Sequence, residues 1–166
     1  MKRIYFMRHA KAESQSDNKK DFTRELNGRG KEDIELMAKV LKGLNVKIDA
    51  VFCSEATRCE HSAKRLISEL NLKKKPKSVA SFYNASYEKL LSFISGIDDK
   101  FNDVLIIAHN PAITEICEHL SDSAIGNIPT SGIFAIEFDC EFANIKEGEG
   151  RALFFEYPKK YKKSSK

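Results

Sequence analysis

The run Val104-Leu105-Ile106-Ile107-Ala108 contains no polar residue and is followed at once by His109. A strand with no alternation has no face to show to water, so both of its faces must be covered, as in a parallel sheet between two layers of helices. Ile4-Tyr5-Phe6-Met7, stopping at Arg8, has the same form, and Ile48 to Cys53 is a further strand candidate. Helical patterns lie between these runs. From Gly28, residues Ile34, Met37, Leu41 and Leu44 recur at helical spacing, with Asn27 placed as N-cap. Ala56, Cys59, Ala63, Leu66, Ile67 and Leu70 share one face of a second helix, which Ser54 is placed to cap and which ends near Asn71. Asn110-Pro111 supplies an N-cap and a first-turn proline for a helix packing Ile113, Ile116, Cys117 and Leu120. After a connector containing Pro76, Val79 to Tyr83 reads as a short strand and Tyr87 to Ile97 as a helix. Ile133 to Phe138 and Ala152 to Tyr157 read as a β-hairpin. The alternation predicts an α/β chain: a three-layer α/β/α arrangement around a mostly parallel central sheet.

At 166 residues the chain fits one such domain. The net charge is +4, but the last nine residues hold five Lys and no acid, which leaves the rest at −1. The expected division is therefore a body over 1–158 and a solvated basic tail over 159–166. Without a basic face on the body, nucleic acid is not an expected partner. No stretch approaches the ~18 apolar residues of a membrane span, and the apolar run after Lys2 and Arg3 is too short for a signal peptide. Cys53, Cys59, Cys117 and Cys140 lack paired spacing, which favours reduced, packed thiols and a cytoplasmic location. The four histidines show no metal-ligand spacing, so no metal and no cofactor are expected.

Three charged or titratable segments each follow an apolar strand: Arg8-His9, Ser54 to Arg58, and His109-Asn110. In open α/β sheets the crevice beyond the carboxyl ends of the strands binds ligands, so these segments are expected to converge on one cationic pocket. Arg8 and Arg58 can grip phosphate oxygens in bidentate fashion, and helices opening near Ser54 and Asn110 favour a bound oxyanion. Imidazole, with an unperturbed pKa of about 6.5, is a competent nucleophile near neutral pH. His9 then needs only a backbone carbonyl on its other ring nitrogen to fix the tautomer.

In order and spacing, Arg8-His9-Ala10, Arg24-Glu25-Leu26-Asn27, Ser54-x-x-x-Arg58 and His109-Asn110-Pro111 resemble the motifs of the histidine phosphatase superfamily. From Met1 to about Pro158, including Thr130-Ser131-Gly132-Ile133, the chain is similar to the SixA-type phosphohistidine phosphatases. That resemblance implies a phosphoglycerate mutase-like core with a minimal cap. It also implies His9 as a phosphorylated nucleophile, with Arg8, Arg58 and His109 holding the phosphoryl group, and Arg24 assisting at the rim. The chain departs from many relatives at Asn27, where they carry Thr, and at His61, where they carry Gln. Larger members have a helical cap and an acid that protonates the leaving oxygen. Only fifty residues lie between Arg58 and His109, which a helix remainder, a strand and another helix already use. Glu88 is the nearest candidate acid, although its place on a helix equally suits a solvated surface residue.

The implied substrate is a phosphohistidine-bearing phosphotransfer protein. A phosphatase of small or aryl phosphate esters is the competing enzyme, and a non-catalytic module binding phosphorylated proteins is the competing binder. Taken singly, Arg8-His9 reads as a loop pair, Arg58 as a surface side chain and His109 as a satisfied histidine; the set carries the catalytic reading. His61 and His119 read as surface residues on helices. Cys59 and Arg65 match Cys-x5-Arg inside a helical repeat without a glycine-rich cradle, which reads as coincidence.

Overall fold

Both neighbours of the first strand are strands, and that fixes its position at the centre of the molecule. The structure, a computed structural model, describes residues 1–15 and 20–162. β1 (Lys2–Arg8) lies between β4 (Asp103–Ala108), to which it is parallel, and β5 (Ile133–Phe138), to which it is antiparallel. β2 (Ala50–Ser54), β3 (Lys77–Val79) and β6 (Arg151–Glu156) complete one six-stranded sheet in the order β3-β2-β4-β1-β5-β6. β3, β2, β4 and β1 are parallel; β5 and β6 form the antiparallel hairpin.

Successive residues of the central strands feed opposite layers. Tyr5, Met7, Leu105 and Ile107 pack with Ile34, Met37 and Leu41 of α1 (Gly28–Gly43) and with Ala63 and Leu66 of α2 (Thr57–Glu69). Ile4, Phe6, Val104 and Ile106 pack with Leu90 and Ile94 of α3 (Tyr87–Ser95) and with Ile113 and Ile116 of α4 (Ala112–Ser121). Burying both faces of these strands is what their unbroken apolar composition requires, at roughly 1.5–3 kcal/mol for each large side chain. The chain leaves β1 toward the α1 layer and leaves neighbouring β4 toward the α4 layer. The crevice beyond these two strand ends is a topological switch point, open between the layers.

Local devices hold the chain that follows β1. Asn27 caps α1, its side chain accepting from Gly30 N at 2.8 Å. Lys11 O accepts from Asn27 N, and Ala12 bridges Leu26. Residue 30 must be glycine, because a Cβ there would sit 2.1 Å from Lys11 O. The backbone after His9 is thus laid directly on the first turn of α1.

Four expectations need correction. α2 starts at Thr57 with Ala56 as N-cap and no side-chain cap, so Ser54 stands upstream of the helix. α4 starts at Ala112 with Pro111 as cap across a cis Asn110–Pro111 bond, and Asn110 is occupied elsewhere. The strand expected over 79–83 is instead β3 at Lys77–Val79, followed by a 3-10 turn over Ala80–Phe82. That turn drives Phe82 into the core against Phe93, ring centroids 4.9 Å apart, which an edge strand continuing past Val79 would not do. Finally, 159–162 lie on the body: Lys160 pairs with Glu156, Tyr161 donates to Glu156, and Lys162 pairs with the fully buried Asp33 of α1. Residues 163–166 of the expected tail, and 16–19 of the polar loop after β1, fall outside the described residues. No described helix is long and apolar enough to cross a membrane.

Candidate active site

His9 follows β1 directly, and its backbone N–H still donates to Ala108 O of the neighbouring strand at 3.2 Å. The residue is 8% exposed. Nδ1 lies 2.8 Å from Ala10 O, and a carbonyl can only accept, so Nδ1 carries the proton. Nε2 then presents its lone pair, toward which Arg58 Nε–H points at 3.4 Å. Burial, followed by the charges of His109, Arg58 and Arg8, pulls His9 down to about 3, against the opposing effect of the Ala10 carbonyl. The ring is neutral across the physiological range.

Arg58 lies in the first turn of α2 and is 5% exposed. All three of its guanidinium nitrogens donate: to Asp21 O at 2.8 Å, Asp21 Oδ2 at 3.2 Å, His109 Nδ1 at 3.3 Å and His9 Nε2. Because Arg58 can only donate, His109 Nδ1 accepts, and its proton sits on Nε2, which donates to Ser54 Oγ at 2.8 Å. Burial and Arg58 lower His109 to about 4. The two imidazoles, 5.4 Å apart between centroids, are thus set in opposite tautomers by the groups around them.

Arg8, the last residue of β1, approaches from the other side. Its NH1 donates to Ile128 O at 3.3 Å, and its Nε is buried with no hydrogen-bond partner among the described residues. Burial and the nearby Arg58 both oppose its charge. A dianion between the two guanidiniums would relieve that repulsion and accept from the idle Nε–H. The backbone N–H of Ser131, at φ 62°, donates to Arg8 O and His9 O and so fastens this strand end.

The remaining sequence candidates take supporting places. Ser54 is fully buried and binds His109 and Ala56 N. Asn110 donates to Asn127 Oδ1 and Ile128 O, both at 2.9 Å, and accepts from Thr114, so it holds the strap to which Arg8 is bonded. Arg24 pairs with Asp21 at 3.0 Å and donates to Glu13 O, on the rim. Glu88 is exposed in the first turn of α3, beside Tyr87, whose ring meets His119. His119 is about 10 Å along α4 from its start, so Glu88 stands toward the far end of that helix from His109. The fold does not bring Glu88 to the cluster. Cys59 is buried in α2 with its thiol pushed up by burial, which leaves no thiolate for cysteine chemistry.

Sequence reasoning missed Asp21, Tyr83 and Ser62. Asp21 accepts from Arg58, Arg24 and Tyr83 Oη, the last at 2.7 Å, and these donors hold its carboxyl below its ordinary range. The Tyr83 ring stands edge-on to His109 at 5.6 Å. Nothing local marks Asp21 or Tyr83; they meet only because the loop after β1 and the turn after β3 fold over α2. Ser62 had a signal, being a hydroxyl on an otherwise apolar stripe. It donates to Arg58 O and accepts from Ala10 N, tying the His9 loop to the Arg58 helix.

Known proteins share this arrangement of elements. A family model described as the histidine phosphatase superfamily (branch 1) matches residues 4–79. An uncharacterized protein of Mycobacterium tuberculosis is 25% identical over 163 residues, covering 92% of this chain and all of that one. The structure of the protein histidine phosphatase SixA complexed with tungstate superposes with a TM-score of 0.82 at 22% identity, covering 96% of this chain and 99% of that one. A protein from Agrobacterium tumefaciens assigned as the phosphohistidine phosphatase SixA gives 0.82 at 24% identity, covering 95% and 98%.

Proposed function

We propose that the chain is a member of the histidine phosphatase superfamily, whose branch 1 model matches residues 4–79, and that it hydrolyses phosphohistidine carried by a phosphotransfer protein, with His9 as the transiently phosphorylated nucleophile. The observation that carries this reading is the His9 ring itself: Nδ1–H held by Ala10 O and Nε2 offered within a cage of Arg8, Arg58 and His109. The Nε2 lone pair attacks phosphorus, the bond from phosphorus to the substrate imidazole breaks, and that imidazole leaves with the electron pair and takes a proton from solvent. Water then attacks phospho-His9, the P–Nε2 bond breaks, and inorganic phosphate departs with His9 neutral again. Charge spreads over the three equatorial oxygens during each transfer, and the two guanidiniums stabilise it, with His109 held beside them by Arg58 and Ser54.

Two features favour phosphohistidine over esters. An imidazole is a far weaker base than an alkoxide, so it leaves without a strong general acid. The carboxyl that bonds Arg58, Asp21, is held ionised by Tyr83, Arg58 and Arg24, and Glu88 is elsewhere. In addition, the residues between Arg58 and His109 are used by α2 and α3, which pack on the sheet, and by β3, a strand of it, which leaves no helical cap over the mouth among the described residues. The four free cysteines suit a reducing, cytoplasmic setting.

Incubation with a panel of phosphohistidine proteins and with p-nitrophenyl phosphate tests the reading. Expected are an acid-labile phosphoenzyme, its loss in His9→Ala, and faster turnover of phosphohistidine. Preference for the ester would overturn the substrate, and binding without turnover would make the chain a phosphoprotein-binding module.

A further inference from the structure

The cations around His9 are not neutralised evenly. On the Arg58 side, Asp21 answers both Arg58 and Arg24. On the Arg8 side the surface continues into a groove of about 230 Å³ lined by Arg8, Lys11, Arg29, Thr130, Pro158 and Lys159 among others, with no carboxylate among its described lining residues. Arg8, Lys11 and Lys159 make no ion pair among the described residues, and Arg29 reaches only Asp33, at 3.6 Å, which also pairs with Lys162. Lys159 stands over this groove because the chain around it is fastened: the Pro158–Lys160 turn packs near α1, Lys160 pairs with Glu156, and Lys162 closes on Asp33.

We propose that this groove is a docking subsite for acidic side chains that flank the phosphorylated histidine on the partner protein. The assignment deepens, and rests on, the phosphohistidine reading of the neighbouring pocket. A second phosphate group would be expected to meet guanidinium groups, as the proposed phosphoryl group would between Arg8 and Arg58. Here the uncompensated charge beyond Arg8 is carried by exposed ammonium groups on flexible stems, and the one guanidinium is already shared with Asp33. Point charges of that kind accommodate carboxylates at variable positions on a polypeptide and speed encounter with an acidic surface. Arg8 joins the two sites, with NH1 on Ile128 O in the loop that leads to Pro129 and Thr130 at the groove wall.

Equilibrium binding to the native full-length chain tests the subsite without requiring turnover, so its failure is distinguishable from failure of the phosphatase reading. Two fluorescent, unphosphorylated peptides centred on His, one flanked by Glu and the other by Gln, are titrated at low ionic strength. The Glu peptide is expected to bind roughly tenfold more tightly, from two or three exposed ion pairs, and to lose that advantage as salt rises. Lys11→Ala combined with Lys159→Ala, both at exposed positions, is expected to reduce the preference to within about twofold. Equal binding of the two peptides, or a preference that survives the double variant, overturns the proposal. So does a double variant that weakens inorganic pyrophosphate but not the Glu peptide, which would give the groove to a second phosphate.

Discussion

The two arginines that flank His9 sit in opposite circumstances. Arg58 is locked by Asp21, His109 and His9, and its carboxylate partner is locked in turn by Tyr83 and Arg24. Arg8 has one carbonyl partner, a buried idle Nε–H and a neighbour of like charge. Arg58 is therefore a structural member of the fold as well as a cation, whereas Arg8 has no carboxylate partner among the described residues. One side of the pocket supplies geometry, and the other supplies unspent attraction.

The strongest way to break this contrast is to delete each arginine and measure activity and stability together. Arg8→Ala is expected to lower kcat/KM by about 10²–10³, the usual loss for one transition-state donor, with the thermal midpoint held or slightly raised. Arg58→Ala is expected to lose at least as much activity and also about 2 kcal/mol of stability, because it strips partners from Asp21 and both histidines. For a chain of this size that lowers Tm by roughly 4–8 °C. Equal Tm changes in the two variants would dissolve the distinction.

Asp21→Asn sharpens it, since only the Arg58 side is touched. Turnover is expected to fall about tenfold, in kcat more than in KM, as Arg58 loses its anchor. The stability difference from native carries a pH signature. The Asp21 carboxyl titrates lower in the folded chain, through Tyr83 first and then Arg58, so its contribution is present above the unfolded value of about 3.9 and lost as pH falls through the folded one. Denaturant midpoints at pH 7 and pH 3 measure this; a difference that does not shrink in acid would remove the carboxylate from the account. Tyr83→Phe, which deletes one donor to Asp21, is expected to cost two- to threefold in kcat and about 1 kcal/mol.

The smallest expected effect is no change at all. With His9 near 3 and His109 near 4, both rings should remain neutral and in opposite tautomers from pH 7.5 to pH 5.5, as read from ring ¹⁵N shifts. Between the ordinary ~6.5 and the depressed values, the unfolded chain binds protons that the folded one does not, so stability declines as pH falls through that window. A ring that protonates near 6.5 would mean that burial and the neighbouring guanidiniums do not depress it.

Much of this molecule could be read from residue order. Val104–Ala108 and Ile4–Met7 announce buried central strands because unbroken apolar sequence leaves no wet face, and β4 and β1 lie side by side. The placement of Arg8 at a strand end, of His9 and His109 directly after one, and of Arg58 in the segment that follows β2 was legible for the same reason. Helix starts were less legible: Ser54 and Asn110 have the chemistry of caps, but each spends its side chain on a tertiary partner, His109 or the Asn127–Ile128 strap. Glu88 looked available because sequence distance says nothing about which end of a packed helix a residue faces.

By itself, then, the sequence determined the layers, the strand-end position of His9 and the excess of positive charge, since each follows from local composition and period. Only the tertiary structure decided which cations are neutralised. Asp21 and Tyr83 reach Arg58 from separate loops, and Lys162 on Asp33 carries Lys159 to the groove beside Arg8. Charge compensation depends on distances of a few ångströms between residues far apart in the chain, and those distances are set by how the layers pack.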